Sequence, residues 1–105
     1  MATSNNTIRM KVDLKNGVTE VKAIITHPSE SGFRKEGDTT VPAHFIQEFE
    51  CFLNDNSVMK SYWGGGIQKN PYISFRIRGG NKGDRIKLAW TDSKGESDFN
   101  EAVVG

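Results

Sequence analysis

The sequence predicts an all-β protein, folded as an antiparallel sandwich of about seven strands. The first observation is that apolar and polar residues alternate with a period of two in several short runs, as in strands that bury one face. The second is that clusters of glycine, proline and asparagine separate these runs. The third is that no window has the apolar spacing of an amphipathic helix. Together these patterns favour strands joined by tight turns.

The first two strands are predicted near the N-terminus. The first contains the alternating apolar residues Ile8, Met10, Val12 and Leu14. Asn16-Gly17 is a strong hairpin signal, and the second strand is predicted from Val18 to Thr26. Its continuous apolar run Ala23-Ile24-Ile25 predicts burial on both faces.

The other five strands are predicted on the same grounds. The third predicted strand has four apolar residues on one face, namely Phe45, Phe49, Cys51 and Leu53. The remaining strands are predicted at residues 58–63, 73–77, 86–90 and 99–103, with turns at residues 54–56, 79–83 and 92–95. Trp90 is large enough to bridge two sheets, which predicts a central core position. This number and spacing of strands is typical of an immunoglobulin-like sandwich, although the paired cysteines of immunoglobulin domains are missing.

Length and composition limit the possible classes of protein. The chain has 105 residues, which suits a single domain over 1–105, and we expect residues 1–7 to be flexible. The formal net charge of +1 gives no strong field that would favour nucleic acid or an anionic membrane. No apolar run approaches the ~18–20 residues of a membrane span. The N-terminus lacks the basic and apolar regions of a signal peptide, which taken alone indicates the cytoplasm.

The sequence offers little catalytic or metal-binding chemistry. The ligand candidates His27, His44 and Cys51 lack the spacing of a metal motif, so we predict no metal and no cofactor. Cys51 lies on the same strand face as Phe49 and Leu53, and such burial would raise the pKa of its thiol. The sequence therefore predicts an inert core cysteine and no catalytic residue.

Two further patterns could be mistaken for binding sites. The run Gly64-Gly65-Gly66 is followed by a strand rather than by the helix of a phosphate-binding loop, so we interpret it as a flexible connection. Four basic residues could form a strip on one outer face, namely Arg76, Arg78, Lys82 and Arg85. On a domain that is close to neutral such a strip is usually a solvated face, so nucleic-acid binding is not predicted.

The most distinctive segment is HPSESGFR, residues 27–34, which opens a polar excursion between the second and third strands. Pro28 favours an extended conformation at His27, which ends the strand, and Gly32 lets the chain reverse. Phe33 and Arg34 then follow in a loop, where they either cover the edge of the core or contact a partner. Loops with such specific chemistry often carry function.

Four segments together resemble one protein family. They are HPSESGFR at 27–34, Val41-Pro42 with Phe45-Ile46, the strand start at residues 70–75 (NPYISF), and Trp90-Thr91-Asp92 followed by Gly95. In this order and spacing, over about residues 8 to 104, they are similar to SoxZ, the small subunit of the SoxYZ carrier of bacterial sulfur oxidation.

The resemblance implies a function that the residues alone do not indicate. SoxZ proteins are immunoglobulin-like sandwiches that pair with SoxY, which carries sulfur intermediates on a cysteine in its glycine-rich C-terminal arm during thiosulfate oxidation. Other Sox enzymes act on the sulfur held by this complex. The family typically has no export signal and reaches the periplasm bound to its exported partner. The given sequence contains no Gly-Gly-Cys-Gly-Gly arm and ends Ala102-Val103-Val104-Gly105, so we do not expect Cys51 to take the carrier role.

We therefore predict a non-catalytic subunit of a heterodimer with a SoxY-like protein. The predicted partner-binding residues are Phe33, Arg34, Trp63 and Tyr72. In isolation the same surface could form a homodimer. Two alternatives remain open from the residues themselves: a free-standing immunoglobulin-like module that binds a ligand such as carbohydrate, and a thiol redox protein that uses Cys51.

Overall fold

The computed structural model of the protein describes residues 7–78 and 80–105. These residues form strands, turns and loops, with no helix among them. The strands are β1 (Ile8–Lys15), β2 (Val18–Ile25), β3 (Lys35–Glu36), β4 (Thr39–Thr40), β5 (Ile46–Leu53), β6 (Asn56–Tyr62), β7 (Tyr72–Arg78), β8 (Arg85–Asp92) and β9 (Ser97–Val103). None of the described residues lies in a helix that could cross a membrane.

Two antiparallel sheets pack face to face. β1, β2 and β7 form a three-stranded sheet, and β6, β5, β8 and β9 form a four-stranded sheet in that order. The two-residue strands β3 and β4 make a small hairpin within the polar excursion. The seven longer strands of the two sheets confirm the predicted immunoglobulin-like sandwich.

Local sequence explains how the strands are joined and where they bend. Asn16 and Gly17 both have positive φ, 51° and 76°, which suits the tight turn that sets the β1–β2 register. In β5 the register against β8 shifts between Ile46 and Glu48. This bulge lets Ile46 and Phe49, three positions apart, both point into the core.

The core lies between the two sheets and follows the alternation of the strands. Its fully buried members come from both sheets and include Val21, Ile25, Ile46, Phe49, Cys51, Ile86 and Leu88. Trp90 is also buried, as predicted. The prediction for the run at residues 23–25 was wrong, because Ile24 is 45% exposed. Strict alternation continues through this apolar run and turns Ile24 to the outer face.

The two long sides of the sandwich differ. On one side β1 contacts β9, and the side-chain amide of Asn100 donates a hydrogen bond of 2.9 Å to the carbonyl oxygen of Ile8. On the other side β6 and β7 are the outer strands of their sheets. Residues 1–6 of the segment expected to be flexible lie outside the described residues, whereas Thr7 is hydrogen-bonded to Asp98 and to Trp90.

Candidate functional site

The segments that carry the distinctive motifs meet at one end of the sandwich. We call this region the loop end and define it as residues 26–45, 63–71 and 93–96. The backbone of His27 is joined to Asn70 by two hydrogen bonds, of 3.0 and 3.1 Å. The backbone N–H of Ser93 donates to the carbonyl oxygen of Phe45 at 2.8 Å. The three segments are therefore fixed to one another.

Two histidines and an aspartate form a buried cluster inside the loop end. Nε2 of His27 and Nε2 of His44 lie 3.0 and 2.7 Å from the same oxygen, Oδ2 of Asp92. The two imidazole rings meet edge to face with their centroids 4.7 Å apart, and Trp90 packs on His27 at 5.1 Å. His27 comes from the end of the three-stranded sheet and Asp92 from the four-stranded sheet, so the cluster links the sheets.

Every polar atom of the Asp92 side chain is used. Oδ1 accepts hydrogen bonds from the backbone N–H groups of Lys94 and Glu96, at 3.0 and 2.8 Å, within the β8–β9 turn. Burial by itself would raise the pKa of Asp92. The hydrogen bonds from His27, Glu96, His44 and Lys94 outweigh that effect and hold the pKa below its usual range. The carboxylate is thus the centre of a saturated hydrogen-bond network.

The hydrogen bonds of His27 also define its tautomer. The backbone N–H of Ser29 donates to Nδ1 of His27 at 3.0 Å, so Nδ1 presents its lone pair and Nε2 carries the proton given to Asp92. The ligand atoms of His27, His44 and Asp92 lie within 4.8 Å of one another, close enough to consider a metal ion. A neutral imidazole bound to a metal through Nε2 carries its proton on Nδ1, where the Ser29 N–H points. The donor set therefore fits a structural network better than a metal centre.

The outer part of the loop end has a different character. The side chain of Phe33 is 88% exposed, the largest exposure among the apolar residues of this end. Arg34 is held beside it by ion pairs with Glu30 at 3.0 Å and Glu36 at 2.9 Å. The sequence left two roles open for Phe33, covering the edge of the core or contacting a partner, and this exposure excludes the first. The ring is free to contact a partner.

The other predicted contact residues are placed unequally. Tyr72 begins β7 and is 56% exposed, so its ring is accessible. Trp63 is only partly exposed, and one face of its ring stacks on Phe49 with centroids 5.3 Å apart. Its inner face therefore belongs to the core. Tyr62, which the sequence analysis did not select, ends β6 with 73% of its side chain exposed. Partner binding by any of these residues stays a prediction.

The glycine run has a definite packing role at one position. A Cβ at Gly65 would lie 3.2 Å from Cα of Ser31, whereas Gly64 and Gly66 have open space around them. Gly65 thus allows residues 63–71 to approach the HPSESGFR segment closely. This contact was not predicted, because nothing in the sequence indicates that the two segments are neighbours.

Cys51 and the predicted basic strip have clear outcomes. Cys51 is fully buried, and burial raises the pKa of its thiol to about 12, which confirms the predicted core position. The prediction that Arg76, Arg78, Lys82 and Arg85 could form one basic strip was wrong, because they do not share a face. Arg76 and Arg78 lie on the outer face of the three-stranded sheet, but Arg85 belongs to the other sheet, where it pairs with Asp55 at 2.6 Å. Lys82 lies in the turn before β8.

The sequence analysis missed the cluster around Asp92, although a signal was present. The buried positions of β2 are Thr19, Val21, Ala23 and Ile25, and the same period of two reaches His27 beyond the end of the strand. In β8 the buried positions are Ile86, Leu88, Trp90 and Asp92. Polar residues in phase with a core face predict inward-pointing side chains that must find hydrogen-bond partners inside the protein.

Comparisons with known proteins now bear on this architecture. A search of curated proteins found no match. Among solved structures, the chain is similar to the hypothetical protein PH1083 from Pyrococcus horikoshii OT3, with a TM-score of 0.71. The alignment covers 99% of this chain and 96% of that one at 12% identity, so it supports the fold alone.

The sequence also matches a family profile described as sulphur oxidation protein SoxZ, over residues 8–103. The match spans all seven long strands and the loop end with its His27, His44 and Asp92. It connects the chain to sulfur oxidation and confirms the resemblance seen in the four segments. The chain therefore belongs to the SoxZ family.

Proposed function

We propose that this protein is the non-catalytic subunit of a sulfur-carrier heterodimer. Its partner would be a SoxY-like protein whose C-terminal cysteine holds sulfur intermediates during thiosulfate oxidation. The observation that carries the proposal is the state of Cys51, the single cysteine of the chain. It is fully buried with a pKa raised to about 12, so it does not offer the thiolate that a covalent sulfur carrier needs. A SoxZ-family chain without a usable thiol needs a second chain to carry the sulfur.

The loop end suits a contact surface. Phe33, Tyr62 and Tyr72 expose 88%, 73% and 56% of their side chains, and all three lie in or directly beside the loop end. Aromatic residues are enriched in the cores of protein interfaces, because they bury much apolar area with few rotatable bonds. A stable pair would bury about 1,200–2,000 Å² in total. The network around Asp92 holds the loop that presents Phe33 in one arrangement.

A non-enzymatic role is consistent with the hydrogen bonding of Asp92 and His27, two of the three members of the cluster. Oδ2 and Oδ1 of Asp92 are taken by four donors, and both ring nitrogens of His27 are hydrogen-bonded. A general base needs a free acceptor aimed at a substrate, which neither side chain offers. We further propose that the protein works in the periplasm, where it would arrive bound to its exported partner.

Co-expression with the SoxY-like protein of the same organism tests the proposal. A tag on the SoxY-like protein should retain this chain in a one-to-one complex, measured by affinity purification followed by light scattering. The Cys51→Ala variant should be retained equally well, because the thiol takes no part. If the tagged protein purifies alone while both chains are folded, the proposed pairing is wrong.

A second measurement separates the carrier role from a thiol redox role. In the folded protein a thiol reagent should modify Cys51 far more slowly than in urea. Rapid labelling without unfolding would favour the redox alternative and contradict the buried geometry.

A further inference from the structure

The outer face of the three-stranded sheet carries a concentration of basic residues. The outward-pointing residues of β1, β2 and β7 alternate with the core residues and follow the pairing register. Six of them are basic, namely Arg9, Lys11, Lys15, Lys22, Arg76 and Arg78, and two are acidic, namely Asp13 and Glu20. We call this surface the basic face.

The basic face stands out against the rest of the chain. Its six cations and two anions give it +4, whereas the whole chain carries +1, so the remaining residues carry −3. The charge is therefore concentrated on one side, which an overall count conceals. Such an asymmetric field attracts and orients an oppositely charged protein during diffusional encounter.

Most of this charge is not neutralised within the chain. Glu20 pairs with Lys22 at 3.3 Å and with Arg76 at 3.6 Å. The other four cations form no ion pair with any residue in the described ranges. Lys11 and Lys22 are also direct cross-strand neighbours, an arrangement of like charges that weakens a sheet slightly.

Two depressions shape the basic face. One, of about 500 Å³, is lined by Lys15, Glu20, Arg76 and Arg78 near the Asn16-Gly17 turn. The other, of about 220 Å³, lies at the opposite end of the face. Ile24 and Tyr72 give it exposed apolar surface, Met10 and Ala23 line it from positions whose side chains face the core, and its rim carries Arg9, Lys11 and Lys22. Ile24, which was predicted to be buried but is exposed, is thus part of an apolar socket surrounded by cations.

This combination identifies the occupant. An apolar socket ringed by basic groups fits an apolar side chain flanked by carboxylates. The larger depression beside Arg76 and Arg78 fits a further acidic group. A nucleic acid fits less well, because Asp13 and Glu20 interrupt the cations along the middle of the face and an apolar socket does not recognise a phosphate backbone. The chemistry is that of an acidic protein surface.

We infer that the basic face is the docking surface for an acidic patch on the carrier subunit, with Ile24 and Tyr72 receiving an apolar side chain of that patch. This inference rests on the proposed function. The contact would lie on the outer face of the three-stranded sheet and would extend through Tyr72 to the loop end.

Charge reversal in the central row tests the inference. The Lys11→Glu/Lys22→Glu variant should bind the SoxY-like subunit about 10-fold or more weakly at low salt, mainly through a slower association rate. Binding by the unmodified chain should weaken as salt rises from about 50 to 300 mM, and the variant should lose most of that dependence. Association and dissociation rates measured on immobilised SoxY-like subunit give both quantities.

Two matched variants make the result specific. Lys82→Glu/Arg85→Glu changes the net charge equally at two exposed positions outside both the basic face and the loop end, and its affinity should stay within about threefold of the unmodified chain. Ile24→Ser removes the apolar wall without altering charge and should speed dissociation. Thermal unfolding of all variants should match the unmodified chain, since these side chains are exposed.

The outcomes separate this inference from the proposed function. If the unmodified chain binds the SoxY-like subunit and the Lys11→Glu/Lys22→Glu variant binds equally with the same salt dependence, the inference fails while the function stands. If the unmodified chain does not bind, both fail. The inference is also overturned if the unmodified chain binds a DNA duplex as tightly as the subunit and the variant loses that binding, because the occupant is then nucleic acid. It is likewise overturned if the variant loses only self-association, because the occupant is then a second copy of the chain.

Discussion

The two halves of the HPSESGFR segment have opposite environments. At its start, His27 is 3% exposed and hydrogen-bonded through both ring nitrogens. Six residues later, Phe33 is 88% exposed. One short motif therefore contains an anchor that fixes the loop and an apolar group that the loop presents. The comparison teaches that a distinctive motif can divide its residues between stability and recognition, and that substitutions should separate the two.

The largest effect is expected at the anchored half. Asp92→Asn keeps the size of the side chain but turns an amide N–H₂ or a single neutral oxygen toward the two histidine donors. We expect a loss of about 3 kcal/mol in the free energy of unfolding, because buried donors lose their charged acceptor. Urea denaturation at pH 7 measures it. Asp55→Asn, which removes an exposed partner of Arg85, is the control and should leave the midpoint nearly unchanged. An equal loss in both variants would contradict the central role of Asp92.

Acid should act on the same half. The pKa of Asp92 is lower in the folded protein than its ordinary value, so as the pH falls the unfolded chain takes up the proton first. The stabilisation is complete above about pH 4 and is lost as the pH falls through the folded pKa. Urea midpoints between pH 7 and 3 should show this loss, and the slope below pH 4 should be smaller in Asp92→Asn. Identical slopes would mean that other carboxyls, such as Glu20 and Asp84, account for the acid sensitivity.

A smaller effect is expected where the glycine run meets the motif. Gly65→Ala places a Cβ 3.2 Å from the backbone of Ser31 and should cost about 1 kcal/mol through local overpacking. Gly66→Ala meets nothing within 4 Å and serves as the matched control. Thermal unfolding of the two variants should differ by a few degrees. No difference would show that the close approach of the two segments does not constrain the fold.

The smallest effect on stability is expected at the presented half. Phe33→Ala should change the free energy of unfolding by less than about 0.5 kcal/mol, because the ring is exposed. Its affinity for the SoxY-like subunit should fall about 10-fold if the ring is an interface anchor. Val103→Ala, which truncates another exposed apolar residue at the far end of β9, should bind normally. Unchanged affinity in Phe33→Ala would remove this residue from the interface.

The sequence predicted the sandwich well, because alternation along a strand is a local property. All seven long strands were placed by it, and so were the burial of Cys51 and Trp90. Ile24 was wrongly predicted to be buried, because an apolar run can include a residue that the strand alternation turns to the outer face. The basic face was missed for a related reason: its members come from three strands, and only the register of β1, β2 and β7 brings them together.

The site was harder to predict because its contacts join distant positions. His27 and His44 stand 65 and 48 residues from Asp92, and no spacing rule relates them. Gly65 and Ser31 meet only because residues 63–71 and 26–45 return to the same end of the sandwich. The resemblance to the SoxZ family found the segments, but it did not indicate which of their residues are structural.

The long separation within the cluster has a consequence for how the chain folds. During synthesis the HPSESGFR segment emerges far ahead of Asp92, so it has no acceptor for His27 until β8 has formed. Contacts of such high sequence separation are made late, after a large loss of chain entropy. The loop that presents Phe33 should therefore become ordered only after β8 has formed and the two sheets have met, so its arrangement depends on contacts made far along the chain.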